Sequence, residues 1–447
     1  MATTFSEALS RAPLKAFSVA TFAICMLVLT CDGIDAQLLG IVAPKVMADL
    51  AVDKGTFGIA MSAALVGFGL GSWGGGWLGD MIGRRWSLAI AAALFSLATV
   101  GAAMAGGVWA MAAWRLVGGL GFGSAYANAI AHSGEWLPDR WRSVAVTTLS
   151  VGTPAGGTVV GWIAPDIVGG YGWRTAFVIF GIATLLVVAL IVAVLRDSPS
   201  FLIARGKRER AEAATAALLG ERLELEPERF TGMDDGGSPI GVLHRSNLRL
   251  NVGIGVTFTA CALCAYGILN WSTTFLTEHG FTLGQAGNAV SIGGLTSIVA
   301  SVLAGVLVHR FGSKAVMASI SLSLFVFMLA FGLTVEHLPA APSADDRLLV
   351  IVLMGITAAI FSAGMASVYA MLTHGYPPSC RSAGIGFGIF MGRVGAISSS
   401  LFGGALLELG HGSVLPFFAV MCAGALLISA AAFVVDRQVP PASRSKG

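Results

Sequence analysis

The sequence predicts an all-α membrane protein of about twelve transmembrane helices, set as two six-helix halves. Three observations carry this. Hydrophobic residues make up 55% of the 447-residue chain and charged residues 11%, where soluble domains carry about 25% charged. Apolar stretches of spanning length recur from one end of the chain to the other. Lys and Arg then fall on alternate connections between those stretches. The 59 glycines fit the same class, because Gly is commoner in membrane helices than in soluble ones.

The apolar stretches lie at 17–42, 57–79, 86–106, 109–133, 144–169, 174–195, 249–275, 284–308, 315–335, 348–372, 383–408 and 413–435. A helical span needs roughly 20 apolar residues. Residues 1–16 are polar and mildly basic, and the first apolar run is long enough to span, so no cleavable signal peptide is apparent. In the fifth stretch, Gly152-Thr-Pro-Ala-Gly-Gly157 reads as a bending and packing element. The longest polar stretch, Arg196 to Arg249, divides the set six and six. Within it Arg205 to Leu219 fits a short amphipathic surface helix, and the rest reads as linker. The expected units are a bundle over 1–195, a central loop over 196–248 and a second bundle over 249–447.

Charge assigns the sides. Even-numbered connections and both termini hold Arg11, Lys15, Arg84, Arg85, Arg140, Arg142, Arg310, Lys314, Arg381, Arg437, Arg444 and Lys446. They also hold the central basic residues Arg196 to Arg249, Arg222 and Arg229 included. Odd-numbered connections hold Lys45, Lys54, Arg174 and Arg347. Cytoplasmic loops are the Lys/Arg-rich ones, so both termini and the central loop are expected in the cytoplasm. The halves also repeat. Gly79-Asp-Met-Ile-Gly-Arg-Arg85 matches Val308-His-Arg-Phe-Gly-Ser-Lys314, and Leu137-Pro-Asp-Arg-Trp-Arg-Ser143 matches Tyr376-Pro-Pro-Ser-Cys-Arg-Ser382. A parallel repeat places a substrate site between the halves near mid-membrane.

Four charged residues stand at membrane depth: Asp32, Asp35, Arg115 and Arg393. A charge there costs at least about 2.5–3.5 kcal/mol on insertion scales, so it usually faces a cavity and has a function. Asp32 and Asp35 sit three apart, which puts both on one helix face. The competing reading ends a helix at Asp32 and starts an interfacial loop at Asp35. Arg393 suits a bidentate grip on a substrate carboxylate; a permanent structural pair with an Asp is the alternative. Arg115 reads as the partner of Asp32 or Asp35, setting proton affinity, or as a purely structural cation. Asn128, Tyr266, Asn270, Trp271 and Tyr369 are candidates for a cavity lining, with packing and lipid contact as the alternatives. His132 and Glu135 lie near the end of the fourth span, where a solvated helix end is the plain reading.

Other chemistries are excluded. Cys261-x-x-Cys264 sits in an apolar span without a second pair or a flanking His, so neither metal nor disulfide is expected. The glycine row Arg115-Leu-Val-Gly-Gly-Leu-Gly-Phe-Gly123 follows no strand and is not a phosphate loop. No Walker motif, nucleophile constellation or His cluster supports an ATP-driven pump or an enzyme. No nucleic-acid partner is implied.

The loop Gly75-Gly-Trp-Leu-Gly-Asp-Met-Ile-Gly-Arg-Arg85 resembles the diagnostic motif of the major facilitator superfamily, and the resemblance covers nearly the whole chain. In the second copy His309 replaces the acidic residue. Within that superfamily Asp32-Gly-Ile-Asp35 resembles the signature of the aromatic acid:proton symporters. So do Tyr126-Ala-Asn-Ala-Ile130 leading to Glu135, Gly392-Arg-Val-Gly395, and Asn270-Trp271, with Gln37 and Asn270 departing from the pattern.

The resemblance implies a proton-coupled importer of small aromatic carboxylates such as hydroxybenzoates. It would be a monomeric transport unit in a bacterial inner membrane, needing no cofactor beyond the proton gradient. Asp32, Asp35 and Arg115 would couple protons. Arg393 would hold the carboxylate, with Asp32, Asp35, Asn128, Tyr266, Asn270, Trp271 and Tyr369 around it. Gly79, Asp80, Gly83, Arg84 and Glu135 would form an inner gate, where an individually weak exposed ion pair suits a latch. Import of a muconate-, shikimate- or lactone-type acid is the rival reading, and proton-driven export a more distant one.

Overall fold

Among the described residues, long helices account for almost all of the chain. They are α1 (Ala16–Leu50), α2 (Lys54–Ile82), α3 (Arg84–Ala102), α4 (Val108–Glu135), α5 (Gly152–Tyr171), α6 (Trp173–Val194), α7 (Leu248–Glu278), α8 (Leu283–Phe311), α9 (Ser313–Glu336), α10 (Ala344–Gly375), α11 (Arg381–Leu409) and α12 (Leu415–Val434). The computed structural model describes residues 3–138, 141, 145, 148–149, 151–220, 223–226, 242–376 and 380–441. Arg140, Arg142, Arg222, Arg229, Arg444 and Lys446 of the charge argument lie outside the described residues. So do Asp139, Ser143 and Pro377 to Ser379 of the second repeated motif.

Ten of the long helices have the length and hydropathy of a membrane span. The other two, α4 and α5, are held below that level by their glycines and by Arg115, Asn128, His132 and Asp166, yet at 28 and 20 residues they are as long as their neighbours. The chain is a multi-pass helical membrane protein. Trp73 and Trp77 on α2, 86% and 67% exposed, and Leu186 on α6 show the outward apolar surface that lipid covers.

Local sequence sets the helix limits. The Asp53 side chain caps α2 by accepting from the Thr56 amide at 2.7 Å. Thr282 with Gln285 forms a capping box at α8, and Ser343 with Asp346 forms another at α10. The ends of α2 and α8 repeat, with Gly83 at φ 96° and Gly312 at φ 81°. That backbone region favours glycine.

Packing follows the same repeat. In the first set α2 packs on α4, α1 on α5, and α3 on α6; in the second α8 packs on α10, α7 on α11, and α9 on α12. The sets meet along α2–α11, α5–α8 and α1–α7. Exchanging each helix for the one six places on converts the first of these contacts into the second and returns the third to itself. This is the arrangement a parallel repeat produces.

The central stretch is more ordered than a linker. Pro199–Ala204 and Arg208–Leu219 are helices, and Leu225–Glu226 pairs in parallel with Thr3–Thr4. Phe5, Leu9, Trp136, Leu202, Ala211, Leu218 and Leu225 form a small apolar core that joins these pieces to the end of α4. Residues 227–241 lie outside the described residues.

Candidate functional site

Helix α1 runs unbroken through both acidic residues, so Asp32 ends no helix and Asp35 starts no loop. Asp32 is 4% exposed and Asp35 3%. A close crossing buries them. A Cβ on Gly33 would stand 2.0 Å from the Thr153 carbonyl oxygen, and one on Gly156 would stand 2.1 Å from that of Thr30. Any side chain at Gly33 would push α1 off α5, so the glycine lets the two carboxylates enter the bundle.

The two carboxylates have different partners. Asp35 is ion-paired with Arg115 of α4, which is 5% exposed. The Thr99 hydroxyl donates to Asp35 Oδ1 at 2.5 Å, and Arg115 Nη1 donates to the Asp35 carbonyl at 3.3 Å. Arg115 thus pairs with Asp35 rather than with Asp32. Asp32 Oδ2 accepts from the Thr153 hydroxyl at 3.3 Å, and of the charges around it Arg393 of the opposite set acts on it most strongly. The first pair is internal to one set; the second relationship crosses between sets.

Arg393 lies near the middle of α11 and is half-buried. Its Nη1 donates to the Tyr266 hydroxyl at 3.1 Å. Its guanidinium carbon stands 3.7 Å from the centroid of the Phe68 ring on α2, within cation–π range. Phe68 in turn contacts Tyr126, ring centroids 5.8 Å apart. Tyr126 is within electrostatic reach of Asp32, Tyr266, Tyr369 and Arg393. Tyr369, 40% exposed, rests edge-on against Phe258 at 5.2 Å. Of the chain's five tyrosines, Tyr266 touches the guanidinium and Tyr126 and Tyr369 lie within its electrostatic reach. A planar cation with aromatic and hydroxyl neighbours suits a ligand carrying a carboxylate on an apolar body.

Three expected lining residues are placed elsewhere. Asn128 is fully buried, and its Nδ2 donates to the Gly75 carbonyl at 2.9 Å, the Ser87 hydroxyl at 2.9 Å and the Ser124 carbonyl at 2.8 Å. It fastens α2, α3 and α4 together. Asn270 donates to the Ser400 hydroxyl at 2.6 Å, and Trp271 is fully buried against Gly403 and Gly404 of α11. Both belong to helix contacts rather than to an open wall. Phe68, Thr99 and Thr153 join the site without a signal in the sequence, and Tyr126 enters it from the Tyr126–Ile130 motif. The scarcity of tyrosine was the available signal for Tyr126.

At one end of the bundle the glycine-and-arginine loop is assembled. Arg84 Nη2 is 3.0 Å from Asp80, and its Nε is 2.5 Å from Glu135. A Cβ on Gly79 would stand 2.1 Å from Asn128 Oδ1, and one on Gly83 would stand 2.9 Å from Asp197 Oδ1. Burial pushes the Asp197 carboxyl up from the usual carboxylate range. Arg205, from the central stretch, donates to the Met81 carbonyl and, at 3.4 Å, to that of Asp80. It thereby satisfies the open end of α2. Gly79, Asp80, Gly83, Arg84 and Glu135 are thus brought together.

Two helical sets that repeat one another, with ionisable groups buried at their junction, define a membrane transporter and not an enzyme. The chain belongs to the Major Facilitator Superfamily, whose model matches residues 25–335 and 252–447. It is 29% identical to the gallate transporter of Pseudomonas putida, covering 91% of this chain and 89% of that one. It is 26% identical to the 4-hydroxybenzoate transporter PcaK of Acinetobacter baylyi, over 89% and 86% of the two chains. The inward-open xylose transporter XylE from E. coli matches its fold with a TM-score of 0.76 at 17% identity, over 94% of this chain and 97% of that one.

Proposed function

We propose that the protein is a proton-coupled symporter importing small aromatic carboxylates across a bacterial inner membrane. The bundles are 1–195 and 249–447, and the termini and the 196–248 loop are cytoplasmic. The observation that carries the reading is Arg393. Its guanidinium stands at the junction of the two sets with a phenyl face on one side and a tyrosine hydroxyl at one nitrogen. The kinship with gallate and 4-hydroxybenzoate transporters supports the substrate class. Protonation of Asp32 removes a negative charge that acts on the anchor, so proton and anion enter together. Asp35 is held in place by Arg115 and Thr99 within the first set. Release then follows as the sets rock and the loop around Asp80, Gly83 and Arg84 opens. The test is uptake into proteoliposomes of hydroxylated benzoates, phenylpropanoates and muconate with an imposed pH gradient, inside alkaline. Accumulation of the aromatic acids that collapses with an ionophore is expected. Accumulation of muconate alone, or uptake indifferent to the gradient, overturns the reading.

A further inference from the structure

Phe68 is the one aromatic ring stacked on the guanidinium of Arg393 among the described residues. It belongs to α2 in the first set, whereas Arg393 and Tyr266 belong to α11 and α7 in the second. The backbone of Phe68 has little freedom. A Cβ on Gly123 of α4 would stand 2.1 Å from the Phe68 carbonyl oxygen, and one on Gly119 would stand 2.9 Å from its amide nitrogen. Glycines let these helices pack backbone against backbone. The ring also leans on Tyr126, centroids 5.8 Å apart and planes tilted by 55°. A fixed ring thus faces a long, rotamer-rich side chain on the other side of the junction.

We propose that Phe68 is a positioning residue for the anion anchor: it holds the Arg393 guanidinium across the junction and exposes its in-plane nitrogens to a carboxylate. The inference rests on the proposed function for the nature of the ligand. Three physical steps lead to it. The ring covers one face of the guanidinium, so a ligand ring is excluded from that face. Tyr266 occupies Nη1, so the open donors are those on the remaining edge. Two parallel donors on one edge make the fork that a carboxylate accepts. Ordering an Arg beforehand spares the ligand the entropy of freezing it. Because the ring and the guanidinium belong to different sets, the anchor is ordered when those sets are close at this level and loosened when they part. Carboxylate affinity then differs between conformational states through the anchor itself.

Two measurements decide it. The first is binding of 4-hydroxybenzoate and 4-hydroxybenzamide to purified wild type, Phe68→Leu and Phe68→Tyr. Phe68→Leu is expected to bind the acid about 3- to 30-fold more weakly, the range a cation–π contact spans. It should bind the amide as wild type does, and Phe68→Tyr should restore acid binding. Loss of acid and amide by the same factor would mean that the ring only shapes the site, and that overturns the inference, as does unchanged acid binding in Phe68→Leu. The second needs no ligand: a melting cycle of wild type, Phe68→Leu, Arg393→Gln and the double variant. Shifts smaller in the double variant than the sum of the singles are expected, because the partners touch. Additive shifts overturn the pairing. If wild type binds no aromatic acid, the proposed function fails, and the melting cycle still decides whether Phe68 holds Arg393.

Discussion

Lys54 at the start of α2 lies 2.7 Å from Glu278 at the end of α7, joining the two sets at the end of the bundle opposite the central stretch. Beside it Glu408 of α11 accepts from the Gly55 amide at 3.1 Å. A cleft of about 430 Å³, lined by Pro44, Asp53, Thr277 and Glu408 among others, opens next to the pair. Both contacts cross between sets, so they must break if that end opens. Lys54→Glu should therefore slow uptake, and Lys54→Glu with Glu278→Lys should recover it. The pair is partly solvated, and such pairs contribute about 0.2–1 kcal/mol, so a change of a few-fold in rate is the expected size. Equal impairment of the single and the double variant in an initial-rate assay would dissociate the pair from closure.

Asp35 and Asp32 should separate in their effects. Asp35→Asn leaves Arg115 buried without its counterion, which costs about 3–5 kcal/mol in comparable cases. Arg115→Gln added to Asp35→Asn should recover part of the lost melting temperature. Asp32→Asn keeps a neutral partner for Thr153 and should melt close to wild type while losing gradient-driven accumulation. Melting curves and proton-driven uptake on the same preparations check both. Normal accumulation by Asp32→Asn would move the coupling proton elsewhere.

At Gly83 the backbone has φ 96° and a Cβ would stand 2.9 Å from Asp197 Oδ1 and 3.0 Å from the Phe201 ring. Gly83→Val meets strain of about 1–3 kcal/mol as well as that contact. Slower transport with ligand affinity close to wild type is expected, measured by equilibrium binding beside initial rates. Affinity falling in step with rate would place the loop in the binding site.

Arg393→Lys keeps a charge and loses the planar fork. Affinity for an aromatic acid should drop by about 2–5 kcal/mol, while the matching amide, weak in wild type, should lose little more. Titration calorimetry on the two ligands and two proteins gives the coupling. Equal discrimination of acid from amide by both proteins would make Arg393 a structural cation.

The spans, the repeat and the charges at depth were legible because each depends on composition along one segment. Asp32, Asp35, Arg115 and Arg393 stand out against uncharged runs wherever their partners lie. Thr99 and Thr153 do not, since a Thr in a span is common and its value here depends on how α3 and α5 are rotated. Phe68 is one of 25 phenylalanines, and nothing near it in sequence points to Arg393 more than 300 positions on. Asn128 misled for the converse reason. A lone amide in an apolar helix reads as a cavity residue, yet backbone carbonyls of Gly75 and Ser124 take its Nδ2 donors just as well. Sequence separates polar from apolar, and the choice between packing and lining is made by neighbours that only the fold supplies.

The pairing of Thr3–Thr4 with Leu225–Glu226 bears on the order of synthesis. The first strand leaves the ribosome before any span, and its partner follows the sixth. Chains are made from the amino end, and pairing of distant segments waits for the later one. The start of the chain must therefore stay unpaired while the whole first set enters the bilayer, and the small core around Trp136 can close only afterwards. That core therefore joins segments made before and after the whole first set.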